Sequence, residues 1–383
     1  MYYYFARLLV VISISQLLFS CTAPRHTMQG STGVTALRYL GGYEISFDYE
    51  FNGTTVGGLS GIDYDAKNNA YYLISDDRSE RSPARFYQAN IWVSPKGIDS
   101  LVFTDVRELL QPDGKTYPND KEDRFKTPDP EAIRYNPVLQ QLVWTSEGER
   151  IINSKDTVLV DPAVIIMDTG GMYIDRFALP SNLFMQPTEK GPRRNAVLEG
   201  MSFADNFKTL YVSVEEPLYE DGPRAEVFEN NAFIRIIRFD VAGKKSIAQY
   251  AYKLAPVAFK ANPESAFKIN GVPDILSLGN NRLLVVERSF STGRLQNTIK
   301  VFVADLNGAT DISQTNLAAN PGFKPAVKKE VLNMDDLGIY IDNIEGVTFG
   351  PLLPNGHKTL LFIADNNFND YEKSQVLLFE IME

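Results

Sequence analysis

The residues best suited to chemistry in this chain are carboxylates that return at a nearly fixed interval. Five segments share an acidic or small polar residue, a small residue and then alternating apolar residues, and subtraction of their first positions gives spacings of 71, 68, 75 and 71 residues. The segments begin at Ser60, Glu131, Glu199, Asp274 and Glu345. An apolar stretch later in each repeat ends in a further carboxylate, and these are Asp76, Glu147, Glu215, Glu287 and Asp365. Such a period predicts a repeat fold with the carboxylates at equivalent places.

Carboxylates gathered at one place need something to offset their charge. Two of them about 5 Å apart repel each other by roughly 3 kcal/mol at an effective dielectric constant of about 20. Protonation, a cationic neighbour or a bound metal ion relieves this repulsion. Calcium takes about 6–8 oxygen ligands, so we predict Ca²⁺ as the cofactor. The predicted metal ligands are Asp76, Glu147, Glu215, Asp274, Glu287 and Asp365, and the predicted catalytic residues, which hold metal or activate water, are Glu131, Glu199 and Glu345.

A purely structural role for these carboxylates is the alternative. Acids at strand ends often accept hydrogen bonds from backbone N–H groups of the next repeat, and a repeat that copies itself copies such contacts as well. The sequence leaves both interpretations open.

Three arginines near the acids could bind an anionic substrate. Arg78 lies two residues after Asp76, Arg85 follows in the same segment, and Arg288 directly follows Glu287. Guanidinium groups pair well with phosphate and carboxylate oxygens, so we predict that Arg78, Arg85 and Arg288 bind the substrate. A surface loop held by salt bridges is the alternative interpretation.

The composition excludes several other chemistries. The chain of 383 residues contains two histidines, His26 and His357, and neither is placed for a Ser-His-Asp triad or a histidine-rich zinc site. The net charge of −10 and the lack of a basic run argue against nucleic acid as a partner. Hydrolysis in this chain would therefore use metal-bound water with carboxylate assistance.

The pattern around the acids predicts an all-β fold. Each repeat offers two strands before its second carboxylate and two after it, as in the alternating segment 233–239 and its partner 246–252. Four antiparallel strands per repeat are typical of a β-propeller blade. We predict about five blades, with a degenerate sixth left open, and ring closure by pairing of the strand at 36–47 with the last blade.

The N-terminal segment is predicted to lie outside this fold. Residues 8–19 are apolar but too few to span a bilayer, and they lead to Cys21, the single cysteine of the chain. We interpret 1–20 as a lipoprotein signal peptide, Cys21 as the lipidated residue, 21–33 as a tether and 34–383 as the propeller domain. The expected location is the cell envelope, as a lipid-anchored periplasmic or outer-membrane protein that is a monomer.

Several strings of the chain together resemble the phytase-like family described as "esterase-like activity of phytase". They are 58–62 with 75–78, 129–133, 199–200, 287–290, and 342–346 with 365–367. The resemblance runs from about residue 35 onwards and implies a repeated, acid-rich domain with phosphoester hydrolysis as the expected activity. It carries over no catalytic residue.

The function expected from the sequence is metal-dependent hydrolysis of a small anionic phosphoester at a carboxylate ring. A non-catalytic envelope propeller that binds a partner or acts as a scaffold is a second hypothesis. A hydrolase or lactonase acting on non-phosphate esters is a third.

Overall fold

The computed structural model describes residues 33–383, which are built almost entirely of antiparallel strands. The predicted signal peptide, Cys21 and nearly all of the tether lie outside the described residues. Within 33–383, the helices are all too short to cross a bilayer.

The strands form five four-stranded sheets, which we call blades 1 to 5. The chain begins with β1 (Ala36–Ile45) and a short hairpin of β2 (Glu50–Phe51) and β3 (Thr54–Thr55). Blade 1 contains β4 (Leu59–Asp65), β5 (Ala70–Ser75), β6 (Arg85–Ser94) and β7 (Gly97–Glu108). The helix α1 (Asp120–Asp123) lies in the connection to the next blade.

Blade 2 carries an inserted hairpin. Its strands are β8 (Pro130–Asn136), β9 (Gln141–Ser146), β12 (Ala163–Asp168) and β13 (Tyr173–Arg176), and the hairpin between them is β10 (Glu149–Ile152) with β11 (Thr157–Val160). Blade 3 contains β14 (Leu198–Ala204), β15 (Thr209–Val214), β16 (Phe233–Asp240) and β17 (Lys245–Lys253). Short 3₁₀ turns at Ser181–Leu183 and Tyr219–Asp221 lie in its connections.

The ring closes as the sequence predicts. Blade 4 contains β18 (Lys268–Gly279), β19 (Arg282–Ser291), β20 (Thr298–Asp305) and β21 (Val327–Asn333), and a 3₁₀ turn at Met334–Leu337 follows it. Blade 5 contains β22 (Asn343–Phe349), β23 (Thr359–Asp365) and β24 (Ser374–Met382), with β1 as its outer strand. The antiparallel pairing of β1 with β24 runs from Ala36 opposite Met382 to Ile45 opposite Ser374. The five-bladed propeller is thereby confirmed.

The core lies between neighbouring blades. Between blades 4 and 5, for example, Val286 and Ile299 belong to the same buried apolar cluster as Phe362 and Phe379. Facing sheets that bury apolar side chains in this way hold one blade to the next.

The strand register corrects the sequence alignment of the repeats in blade 4. The apolar residues Ile62, Ile133, Met201, Ile275 and Val347 pair with equivalent residues of the second strands. These second-strand partners are Leu73, Trp144, Val212, Val285 and Phe362. Three positions after each of them stand, in the same order, Asp76, Glu147, Glu215, Arg288 and Asp365. Blade 4 therefore places Arg288 where the other blades place a carboxylate. Asp274, which precedes Ile275, matches Gly61 and Gly200 rather than Glu131 and Glu199.

One arginine joins all five blades on the propeller axis. The Arg134 guanidinium donates to the carbonyl oxygens of Met201 (2.7 Å), Ile62 and Ile133 (2.8 Å), and Ile275 and Val347 (3.3 Å). These are the five equivalent residues of the innermost strands. Both Asp274 carboxylate oxygens lie 2.7 Å from Arg134 Nη2. Asp274 also accepts the N–H groups of Val347 (2.7 Å) and Met201 (3.3 Å), which ties blade 4 to its two neighbours.

Replacing Asp274 with alanine should lower the free energy of unfolding by about 3–5 kcal/mol, because the buried Arg134 would lose its ion-pair partner. Denaturant unfolding followed by circular dichroism measures this change. The exposed pair Arg107–Asp105 gives a control, and Asp105→Ala should cost less than about 1 kcal/mol. Equal losses in the two variants would contradict the axial role of Arg134 and Asp274.

Candidate functional site

Eight carboxylates gather at one end of the propeller channel, and we call them the acid cluster. The turns after the second strands and the starts of the innermost strands meet at this end, because the two strands are antiparallel. The members are Asp76, Asp129, Glu131, Glu147, Glu199, Glu215, Glu345 and Asp365. Seven of them were predicted as metal or catalytic residues, and the structure brings these seven together.

The tightest group in the cluster lies on blade 2. Each of Asp129, Glu131 and Glu147 places a carboxylate oxygen within 4.8 Å of the other two, and all three residues are buried. Backbone contacts hold this arrangement, since the Glu147 N–H donates to the Asp129 carbonyl (3.1 Å) and the Asp129 N–H donates to Ser146 Oγ (3.1 Å). Oxygen ligands at this spacing fit a hard divalent cation such as Ca²⁺.

The charge of this group is poorly compensated by protein cations. Burial raises the pKa of Glu147 to about 8, and the negative charges of Asp129 and Glu215 contribute in the same direction. Burial also raises the pKa of Asp129 to about 7, although the Arg78 guanidinium opposes the shift. Burial and then the Glu199 charge raise the pKa of Glu131 well above its usual range. A bound cation would remove this penalty by stabilising the ionised forms.

Glu199 connects the blade 2 group to the rest of the cluster. Its carboxyl shares a hydrogen bond with Glu147, and burial followed by the charges of Glu147 and Glu215 raises the pKa of Glu199 well above its usual range. Glu199 is only partly buried, so it stands at the solvent-facing side of the cluster.

Two arginines stand at the rim beside blade 2. Arg78 lies 3.3 Å from Asp129 and 3.2 Å from Glu149, and Arg194 Nε donates to Glu149 Oε1 (2.8 Å). The Arg194 side chain is 53% exposed and can turn toward a ligand. Burial favours a higher pKa for Glu149, but the contacts to Arg194 and Arg78 outweigh it and lower the pKa. Arg78 was predicted, whereas Glu149 and Arg194 were missed, because Arg194 comes from a long loop with no repeat signal.

Arg288 neutralises part of the cluster instead of facing a substrate freely. It forms ion pairs with Glu215 (3.0 Å) and with Glu345, and it donates to Asn343 Oδ1. Burial lowers the pKa of Arg288, but the charges of Glu345 and Glu215 have the larger combined effect, so the pKa is raised. Blades 3, 4 and 5 are joined by this one side chain.

The structure contradicts the predicted role of Arg85. Its side chain is 1% exposed, and it donates to Asp77 Oδ2 (2.7 Å), the Thr55 carbonyl (2.9 Å) and Tyr87 Oη (2.6 Å). These partners occupy the guanidinium inside blade 1, so Arg85 cannot bind a substrate at the channel mouth.

Two predicted metal ligands are also placed elsewhere. Asp274 forms an ion pair with Arg134 on the axis. In the strand register it lies one residue away from the position equivalent to Glu131 and Glu199, with which the repeat alignment had matched it. Glu287 accepts hydrogen bonds from Tyr252 Oη (2.7 Å) and Asn270 Nδ2 (2.7 Å) and pairs with Lys328. Both carboxylates therefore hold blade 4 in place and lie outside the acid cluster.

Comparison with known proteins connects the chain to one family. The family model "Phytase-like: Esterase-like activity of phytase" matches residues 54–368, which confirms the resemblance inferred from the sequence. No curated protein matches the chain.

Several solved structures share a weak likeness with the chain. They include the periplasmic gluconolactonase PpgL of Pseudomonas aeruginosa (12% identity, TM-score 0.36, 93% of this chain and 97% of that chain). An endo-1,4-beta-xylanase from Bacteroides thetaiotaomicron gives 8% identity and a TM-score of 0.41, with 90% and 91% covered. The gluconolactonase XC5397 from Xanthomonas campestris gives 12% identity and a TM-score of 0.36, and the match covers 91% of this chain and 96% of that chain. At these values the likenesses carry no argument about this chain.

In the presence of a chelator, the free energy of unfolding should fall as the pH rises from about 5 to about 8. Carboxyl groups of the unfolded chain titrate near pH 4, whereas the folded pKa values are about 7 for Asp129 and about 8 for Glu147. The folded chain therefore binds more protons over this interval, and stability is lost as they leave.

Urea unfolding at several pH values measures this slope. The Glu147→Gln variant should reduce the slope, whereas Glu189→Gln, at an exposed acid, should leave it unchanged. A stability that rises with pH in chelator would contradict the prediction.

Proposed function

The chain belongs to the phytase-like family described as "esterase-like activity of phytase", and from this premise we propose that it is a metal-dependent hydrolase of small anionic esters. Phosphoesters are the first substrate class to test, and Ca²⁺ is the first cation. The observation that carries the proposal is the blade 2 group of three buried carboxylates with oxygens within 4.8 Å of one another, where Arg78 is the cation that the described residues pair directly with one of them.

The blade 2 group would hold the cation. Asp129, Glu131 and Glu147 offer the oxygen ligands. Of the two roles predicted for Glu131, holding the metal and activating water, we therefore assign the first. A divalent cation at this place supplies Lewis-acid chemistry and lowers the pKa of a water molecule near it.

Glu199 is the best candidate to accept a proton from the attacking water. It is partly exposed, it touches Glu147 through a hydrogen bond, and burial followed by the charges of Glu147 and Glu215 raises its pKa, which strengthens it as a base. Arg78 and Arg194 stand on the same side of the channel mouth and can bind the anionic group of the ester.

A non-catalytic propeller is the second candidate, and a specific observation favours it. Asp274, Glu287 and Glu215 each have a cationic partner, and the pairs Asp274–Arg134 and Glu215–Arg288 join different blades. If the remaining acids act only in the same manner, the long loops rather than the cluster would bind a partner.

The proposed setting is the cell envelope. A lipid anchor at Cys21 would attach the chain to a membrane as a monomer, with small anionic esters as substrates and no nucleic-acid partner. The support is the apolar stretch 8–19 followed by the single cysteine.

Calorimetric titration of the full-length chain with Ca²⁺, after removal of cations with a chelator, tests the metal site. We expect binding by the wild-type chain and at least a tenfold weaker affinity at this site in Asp129→Asn, because one charged ligand is lost. The exposed acid variant Glu189→Gln should bind as the wild type does. Binding that is unchanged in Asp129→Asn would contradict a site on blade 2.

Release of phosphate, carboxylate and hydroxy acid from a phosphomonoester, a carboxyl ester and a lactone then distinguishes the substrate classes. Glu199→Gln should lower kcat at least a hundredfold while Ca²⁺ still binds, because general-base catalysis is lost. Arg194→Met should raise KM more than it lowers kcat. Absence of turnover on all three substrates by the Ca²⁺-loaded chain would favour the non-catalytic propeller.

A further inference from the structure

The acid cluster contains two groups of carboxylates on different blades. Asp129, Glu131 and Glu147 belong to blade 2. In the second group, Asp76 follows β5 of blade 1, and Asp365 ends β23 of blade 5. Blades 5 and 1 are neighbours, since β4 packs against both β22 and β23. The second group therefore lies between the C-terminal strands and the first complete blade.

Asp365 is the unexplained member of this second group. The residue is fully buried, and neither side-chain oxygen has a hydrogen-bond partner within residues 33–383. The N–H groups of Asn366 and Asn367 approach it without reaching good hydrogen-bond geometry. A carboxylate taken out of water in this way is strongly unfavourable unless a counter-ion accompanies it.

Asp76 and Glu345 are charged neighbours of Asp365. After burial, the charges of Asp365 and then Glu345 have the largest effect on Asp76 and raise its pKa well above the usual range. Glu345 Oε1 accepts hydrogen bonds from Arg288 and from Asn343 Nδ2, whereas within residues 33–383 no hydrogen bond of this kind reaches Glu345 Oε2.

A glycine directly before β4 makes this approach of Asp76 and Asp365 feasible. A Cβ atom at Gly58 would lie 2.1 Å from Asp76 Oδ1 and 2.5 Å from Phe368 Cε2, and Gly58 has a φ of +60°. The Gly58 N–H donates to Asn366 Oδ1 (3.2 Å), next to Asp365 in the chain. The segment before β4 thus packs directly on the turn after β23 and holds the two acids at the same place.

We propose that Asp76, Glu345 and Asp365 bind a second divalent cation, distinct from the one on blade 2. The free oxygens of these three side chains, completed by water, suit the 6–8 oxygen ligands of Ca²⁺. A cation here would join blade 5 to blade 1 and reinforce the closed ring. The site goes beyond the proposed function, because it would stabilise the propeller whether or not the chain hydrolyses an ester.

The number of Ca²⁺ ions bound per chain tests this proposal. The full-length chain, stripped with a chelator, is titrated with CaCl₂ in a calorimeter beside Asp365→Asn and Glu147→Gln. Asp342→Asn is the matched control, because Asp342 is a buried acid of the same region whose oxygens already accept the N–H groups of Asn343 and Lys373. Thermal unfolding with and without Ca²⁺ gives a second readout, and Asp76→Asn replaces Asp365→Asn if the latter fails to fold.

We expect two ions in the wild type and the control and one in each of Asp365→Asn and Glu147→Gln. The rise in Tm with Ca²⁺ should be smaller in Asp365→Asn than in the control. Two ions retained in Asp365→Asn or in Asp76→Asn would overturn the second site. If the wild type binds one ion, and neither Asp365→Asn nor Glu147→Gln binds any, the second site is overturned as well and the proposed function stays intact. If the wild type binds one ion that Glu147→Gln keeps and Asp365→Asn loses, the result supports this site and contradicts the site on blade 2. No binding by the wild type would overturn both.

Discussion

The propeller depends on one guanidinium placed where five strands converge. The innermost strands bring equivalent carbonyl groups of all blades toward the axis, where no further strand can pair with them. Arginine has five N–H donors in one plane, and Arg134 uses them on these carbonyls and on Asp274. Because Asp274 supplies the counter-charge from blade 4, the axis is both hydrogen-bonded and neutral at this level. The blades therefore have a fixed common reference, against which the acids at the channel mouth are positioned.

The carboxylates of the channel fall into two classes, those paired with a protein cation and those buried without one. Asp274, Glu287 and Glu215 each form an ion pair with a lysine or arginine, within blade 4 for Glu287 and between blades for the other two. At the mouth, Glu131 and Asp365 are buried without any such partner, and their pKa values rise. A scaffold gains nothing from buried acids that lack a counter-charge, so this contrast is what separates candidate ligands from structural acids.

The sequence alignment fails at one point, and the failure is instructive. Each blade has an irregular pairing between its first two strands, and in blade 4 it falls between Gly271 and Asp274. An alignment that matches acids to acids places Asp274 and Glu287 in the ring, whereas the register places Arg288 there. The period of the repeat cannot reveal a shift of one residue, because the apolar alternation continues on both sides of it.

The sequence by itself determined the five blades, the closing role of the strand at 36–45 and the end of the channel at which acids collect. These features follow from local alternation and from a period, which are properties of neighbouring residues. Only the tertiary structure decided which acids keep their charge unpaired. Their cations come from distant segments, since Arg134 lies 140 residues from Asp274 and Arg288 lies 73 residues from Glu215. Pairing over such separations is set by the closed ring, because only the packed blades bring those side chains within reach.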